Sequence, residues 1–238
     1  KAEWSVVPAE LRDAERTASK SQQADDGKFS RKIDSQDEDI GSRAVIRNVR
    51  ELVWYPSEVD TSIRTGWFYH PEEDTDVRTA DEFLDIYLDA IGANASLLLN
   101  IPPDTHGRIA APDCASLTEL GTKIQQIFAS NVTEKAAITA DSAIAQHPIT
   151  QAVDGMANTY WQAAYGQESD TITLNFPKPQ KVSCVVLGEH LPTGQRIESG
   201  EIWADGSKVA EFTVVGHKRI CRFAPVDVQT LTIKITAS

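Results

Sequence analysis

The hydrophobic positions follow two different periods on either side of residue 130. Before it, apolar runs alternate with helical stripes. Trp4, Val6 and Val7 mark a short extended segment within residues 1–8, and a strongly polar stretch over 10–41 reads as a long solvated loop. Residues 45–53 read as a strand. Phe83, Leu84, Tyr87, Leu88 and Ile91 then recur at the spacing of one helical face. Thr79 and Glu82 stand three apart as a capping box that opens this helix, and Gly92 is expected to close it as a C′ residue. Residues 95–100 form a nearly continuous apolar run, which suits a parallel strand buried on both faces. Pro102 and Pro103 end it, because proline cannot extend a central strand. Leu117, Leu120, Ile124, Ile127 and Phe128 mark the inward face of a second helix over 116–128. Strand, helix, strand, helix is the order of a parallel α/β sheet or barrel.

From residue 136 the period shortens. Thr- and Val-rich runs at 171–176, 181–187, 199–204, 208–214, 219–223 and 230–236 are separated by turn residues, and several alternate in period two. These predict an all-β, jelly-roll-like antiparallel β-sandwich. The chain is therefore read as two domains, 1–130 and 137–238, of class α/β followed by all-β.

Composition narrows the partners. With 41% hydrophobic residues both parts can build cores, and a net charge of -12 argues against nucleic acid or an anionic membrane surface. No apolar run approaches the roughly 20 residues that span a bilayer. Three cysteines, Cys114, Cys184 and Cys221, are too few for a disulfide framework. They read as buried thiols, with one bridge between Cys184 and Cys221 left open.

Candidate chemistry concentrates in WYPSEVDTSIRTGWFYH, residues 54–70, where Glu58, Asp60, Arg64 and His70 interleave with large rings. Rings that stack on apolar sugar faces beside charges that bind hydroxyls suit a carbohydrate pocket. Glu58 and Asp60 can share one face of an extended segment, although the carboxylates of a retaining glycosidase, about 5–5.5 Å apart, usually come from different strands. Arg64 reads as a sugar-hydroxyl ligand, as a holder of Glu58, or as half of a surface ion pair. His70 reads as a ligand or a loop-structural residue, Trp54 and Phe68 as core, and Asn100 as a partner for backbone groups where the strand breaks.

The run WYPSEVDTSIRTGWFYHPEED, with ASLLLNIPPDTHG downstream, resembles the second half of the catalytic barrel of bacterial α-L-fucosidases of glycoside hydrolase family 29. The wording is closest to the branch that acts on α-1,3/1,4-linked fucose. The resemblance covers most of residues 1–128. It implies the C-terminal part of a (β/α)8-type barrel, retaining exo-hydrolysis of a fucosylated oligosaccharide or glycoconjugate, no cofactor, and a periplasmic or secreted location. It also implies that the nucleophile and the acid/base fall before Lys1, leaving this stretch inactive alone. Carried onto this sequence, Glu58 matches a glutamate at the sugar pocket and is the one candidate proton donor. Trp67 matches an aromatic wall beside the fucose methyl group, with Arg64 and His70 as further substrate ligands.

The second part has its own resemblance. Residues 154–161, DGMANTYW, with GEHLPTGQRIESGEIWADG and GHKRICRF downstream, resemble discoidin-type, galactose-binding-like modules. That implies a candidate structural calcium at Asp154, and makes Trp161 and Trp203 either sugar platforms or core rings. The rival functional reading is a non-catalytic carbohydrate-binding protein that uses the sandwich.

Overall fold

The computed structural model describes Trp4 and residues 6–9, 46–54 and 57–238. The polar stretch 10–41 lies outside these residues. Strand β1 (Val6–Pro8) pairs antiparallel with β2 (Leu52–Trp54). Strand β3 (Glu58–Ser62) pairs parallel with β4 (Ser96–Asn100), with Glu58 opposite Ser96 and Ser62 opposite Asn100. Between them runs helix α1 (Ala80–Ile91), and helix α2 (Ala111–Ile127) follows β4. This is a β-α-β-α unit, as the periodicity requires. The strand expected over 45–53 is shorter and later: only residues 52–54 pair, and the next strand begins at Glu58. Glu58, Asp60 and Ser62 disguise β3 as a loop in the sequence, but its backbone pairs with the leucine-rich β4.

The capping box is present: Thr79 Oγ1 accepts from the Glu82 amide at 3.3 Å, and the Glu82 carboxylate accepts from the Thr79 amide at 2.8 Å. Gly92 does not close α1 in the left-handed region, since its φ is -77°. Asn94 takes that conformation instead, with φ 66°. Glycine is needed at 92 for space, because a Cβ there would lie 2.7 Å from Cβ of Ile220. Helix α2 starts five residues earlier than predicted, with Pro112 in its first turn, where proline's missing amide costs nothing.

Ile63 and Phe83 are fully buried in the core of this unit, with Leu84, Leu88 and Leu120 around them. Each such side chain contributes about 1.5–3 kcal/mol by burial. Leu98 is 52% exposed, so β4 is not covered on both faces; among the described residues, β3 is its only strand neighbour. Phe128, expected inward, is 40% exposed just past the end of α2.

The second part is one five-stranded antiparallel sheet, in the order β5-β6-β9-β7-β8. Its strands are β5 (Ala137–Ala140), β6 (Asp170–Leu187), β7 (Ser199–Ala204), β8 (Ser207–Phe212) and β9 (Arg219–Ala237). The runs 171–176 and 181–187 are one strand, and so are 219–223 and 230–236. The register shift between Asn175 and Gln180 absorbs Pro177 and Pro179, which is how a long strand tolerates proline, and a second shift follows between Val182 and Cys184. Strand β5 carries too little pattern to be read from sequence. Leu174, Ile202 and Ile233 share one buried cluster with Val182, Val185 and Cys221 from the far halves of β6 and β9. The two halves of the sheet thus enclose a common core, in keeping with a sandwich.

All three thiols are free. Cys221 is buried, Cys184 is half-buried, and Cys114, expected inside, is exposed on α2. Among the described residues no helix is long and apolar enough to cross a membrane.

Candidate sugar-binding wall at the ends of β3 and β4

Ser62 and Asn100 end two parallel strands side by side, and their side chains hold the loop that follows β3. Ser62 Oγ donates to the Gly66 carbonyl at 2.7 Å. Asn100 Nδ2 donates to Ser62 Oγ at 3.1 Å and to the Trp67 carbonyl at 3.0 Å. Asn100 therefore does satisfy backbone groups at the strand end, and the backbone it satisfies is that of Trp67. The indole is left 51% exposed.

Arg64 anchors the same loop from below. It is fully buried, and its guanidinium grips fully buried Asp113 in the first turn of α2 through Nε at 3.1 Å and Nη2 at 2.9 Å. Nη2 also reaches Asp74 at 2.8 Å, Nη1 donates to the His70 carbonyl at 3.2 Å, and the guanidinium carbon lies 4.7 Å from the centre of the Tyr69 ring. Burial works against the charge. The hydrogen bonds and charges of Asp113 and Asp74 outweigh it and hold the Arg64 pKa above its ordinary value. Arg64 is thus not a surface ion pair, and four of its five N–H donors are engaged inside the fold, with Asp113, Asp74 and the His70 carbonyl rather than with Glu58. No short-range pattern points to Asp113, because it lies 49 residues away.

The remaining candidates separate. His70 is exposed, and its carbonyl is fixed by Arg64. Glu58 and Asp60 occupy the exposed face of β3 together. Glu58 opens that strand, however, so it stands about 13 Å along the chain from the Ser62 end, where Trp67 and His70 follow. Trp54 and Phe68, read as core, are 60% and 77% exposed. Trp54 shares the outward face of a three-residue strand with Leu52, and Phe68 sits in the loop whose backbone, not its ring, is anchored. Glu73 was missed by sequence reasoning: one of its carboxylate oxygens is enclosed without a hydrogen-bond partner among the described residues.

In the second part, Asp154, the candidate calcium ligand, engages its carboxylate within its own loop. Its carboxylate accepts from the Met156 amide at 2.8 Å and from Thr159 Oγ1 at 2.7 Å, closing its own turn. A calcium shell needs six to eight oxygens, and among the described residues no three acidic, histidine or cysteine side chains converge. Both tryptophans are half-buried and tied to neighbouring groups. Trp161 donates Nε1 to the Ser142 carbonyl at 3.0 Å, and Lys234 covers the Trp203 ring at 4.0 Å.

The two parts meet at the other end of β4. Asn94 Nδ2 donates to the Val215 carbonyl at 3.0 Å, and its Oδ1 accepts from the Lys218 amide at 2.8 Å. The Ile220 amide donates to the Gly92 carbonyl at 3.1 Å, and Arg222 bonds Asp85 at 3.0 Å. Asn94 belongs to a formal glycosylation sequon, but it is 5% exposed and fully engaged here.

A family described as alpha-L-fucosidase matches residues 14–126. The first part of the chain is similar to the α-L-fucosidase family. A second match, over residues 131–238, carries only the description of a domain of unknown function (DUF7402). Alpha-L-fucosidase 1 of Arabidopsis thaliana is 31% identical over 193 residues, covering 76% of this chain and 37% of the plant protein. Among solved structures, a candidate α-L-fucosidase from Bacteroides thetaiotaomicron superposes with a TM-score of 0.74 at 28% identity, covering 85% of this chain and 45% of the other. A Ruminococcus gnavus fucosidase of glycoside hydrolase family 29, solved with fucose, gives 0.71 at 26% identity, covering 78% and 39%. The chain thus spans less than half the length of each of these three proteins. Both superpositions cover more of the chain than the first part alone, so the likeness of fold continues into the second.

Proposed function

We propose that the described part of this chain forms one wall of the fucose pocket of a retaining, exo-acting enzyme that removes terminal α-1,3/1,4-linked L-fucose from glycans. The observation that carries this reading is the placement of Trp67. A large apolar ring stands half exposed at the C-terminal ends of two parallel strands, where α/β barrels assemble their sites, and its backbone is fixed by Asn100. L-Fucose differs from L-galactose by a methyl group in place of CH2OH, so an indole at that position favours fucose by excluding the hydroxyl. His70, fixed through its carbonyl, is the polar neighbour available to the sugar. Arg64 and Asp113 position both. The barrel, its catalytic carboxylates and export to the periplasm or medium belong to this proposal.

The test uses the full-length protein. Trp67→Ala should lower kcat/KM for an aryl α-L-fucoside by about 10–200-fold, the range for one apolar contact in a pocket. It should also narrow the preference over the matching L-galactoside, and an unchanged ratio overturns the assignment. Residues 1–238 alone should give no turnover. Retaining turnover by this stretch would instead move catalysis to Glu58 and Asp60.

A further inference from the structure

We propose that the groove between α1 and the sheet of the second domain is a glycan-binding site for a neutral oligosaccharide, at the opposite end of β3 and β4 from Trp67. The topology fixes the second half of that statement. Trp67 follows the C-terminal end of β3, whereas Gly92, Ala93 and Asn94, which bond the second domain, lead into the N-terminal end of β4. Five residues of strand, about 16 Å, separate the two ends. The second domain therefore meets the first at the end of these strands away from the Trp67 wall.

The groove measures about 760 Å3, within the size range of ligand clefts, which favour domain junctions. Asp85 and Asp89 stand on the α1 side, Glu201 and Glu211 on the sheet side, and Arg219 and Arg222 between them. Leu88 and Ile220 supply apolar floor. The charges are largely answered within the wall. Arg222 pairs with Asp85 at 3.0 Å, and Lys208 reaches Glu201 and Glu211 at 3.4 and 3.3 Å. Asp89 makes no hydrogen bond or ion pair among the described residues.

This pattern selects the occupant. An anion meets four carboxylates, an apolar molecule buries them without replacement partners, and a cation meets two guanidinium groups. A neutral polyol suits all of them, since its hydroxyls donate to carboxylates and accept from guanidinium groups while its CH faces lie on the apolar floor. The volume suits a short oligosaccharide rather than one ring. The choice of sugar rests on the fucosidase reading; the site itself does not.

The experiment titrates residues 1–238 with three probes, followed by calorimetry and by backbone amide shifts. The probes are the trisaccharide galactosyl-β-1,4-(fucosyl-α-1,3)-N-acetylglucosamine, the same disaccharide core without fucose, and L-fucose alone, with sialyl-lactose as the charged control. The two larger sugars should perturb Asp85, Gly200 and Ile220. Their affinity should fall about tenfold in Asp89→Ala/Arg222→Ala, as expected for losing hydrogen bonds to charged groups, and stay unchanged in Trp67→Ala. Both altered side chains are exposed, and an unchanged melting temperature checks the fold. Measured on the full-length protein, L-fucose should show the reverse dependence, so failure of the pocket reading and failure of the groove are separately visible. Equal binding by the groove variant and the parent, absence of shifts at the groove, or tighter groove binding by sialyl-lactose than by the neutral sugars overturns the proposal.

Discussion

Arg64 and Asp113 are fully buried and joined by two hydrogen bonds of 2.9 and 3.1 Å across 49 residues of chain. The pair ties the loop after β3 to the first turn of α2. A buried ion pair adds little net stability by itself, but removing one member strands the other. Arg64→Ala or Asp113→Ala should therefore cost about 3–5 kcal/mol in denaturant unfolding. The double change Arg64→Met/Asp113→Leu should recover much of that loss. If it restores stability without restoring fucoside affinity, the pair positions the Trp67 loop rather than merely filling the core.

The two exposed tryptophans should respond differently. Trp54 is 60% exposed on a three-residue strand, so Trp54→Ala should change stability by no more than about 0.5 kcal/mol, the range of ordinary surface substitutions. Trp67→Ala should be similarly mild in thermal melting, yet lower L-fucose affinity. Melting of Trp54→Ala by several degrees would place that ring in a core.

Glu189 joins two loops of the second domain. Its carboxylate accepts from the amides of Arg196, Ile197 and Gly216 at 2.7, 2.9 and 2.6 Å. Burial raises its pKa, and the three amides only partly offset that. The folded chain thus holds this proton more tightly than the unfolded chain does. Stability should fall as pH rises from the ordinary glutamate value through the raised folded one, and level off above it. Subtracting the pH profile of Glu189→Gln from that of the parent should isolate this slope; a difference of the opposite sign would contradict it. Glu189→Ala leaves buried amides unpaired and should cost at least about 1–3 kcal/mol.

The thiols should report the fold. Cys114 is exposed, while burial pushes the Cys221 thiol up to about 12 and also raises Cys184. Only thiolates react readily, so a disulfide reagent at neutral pH should modify one thiol quickly in the native chain and all three after denaturation. Rapid loss of Cys221 would mean that the sheet core opens easily.

The local signals were legible in the sequence wherever one element carries its own pattern. The Thr79–Glu82 box, the stripe from Phe83 to Ile91 and the strand at 96–100 follow from spacing alone, because side-chain direction repeats with backbone geometry. So does the change to a β-rich part after residue 130. The motif around Trp67 was readable because rings and charges sit together in one stretch. Tertiary structure decided what those residues touch. Arg64 looked like a ligand until Asp113 and Asp74 took its donors, and Gly92 looked like a C′ glycine until Ile220 claimed the space of its Cβ. Asn94 opens a formal sequon, but its side chain joins the two parts of the chain, bonded to residues more than 120 positions away. Four predicted strands became two because pairing along β6 and β9 carries the backbone across Pro177 and Pro179 in one and Pro225 in the other. Periodicity encodes which face an element buries, whereas a hydrogen bond to a distant partner leaves no local trace; the fold alone brings such partners together.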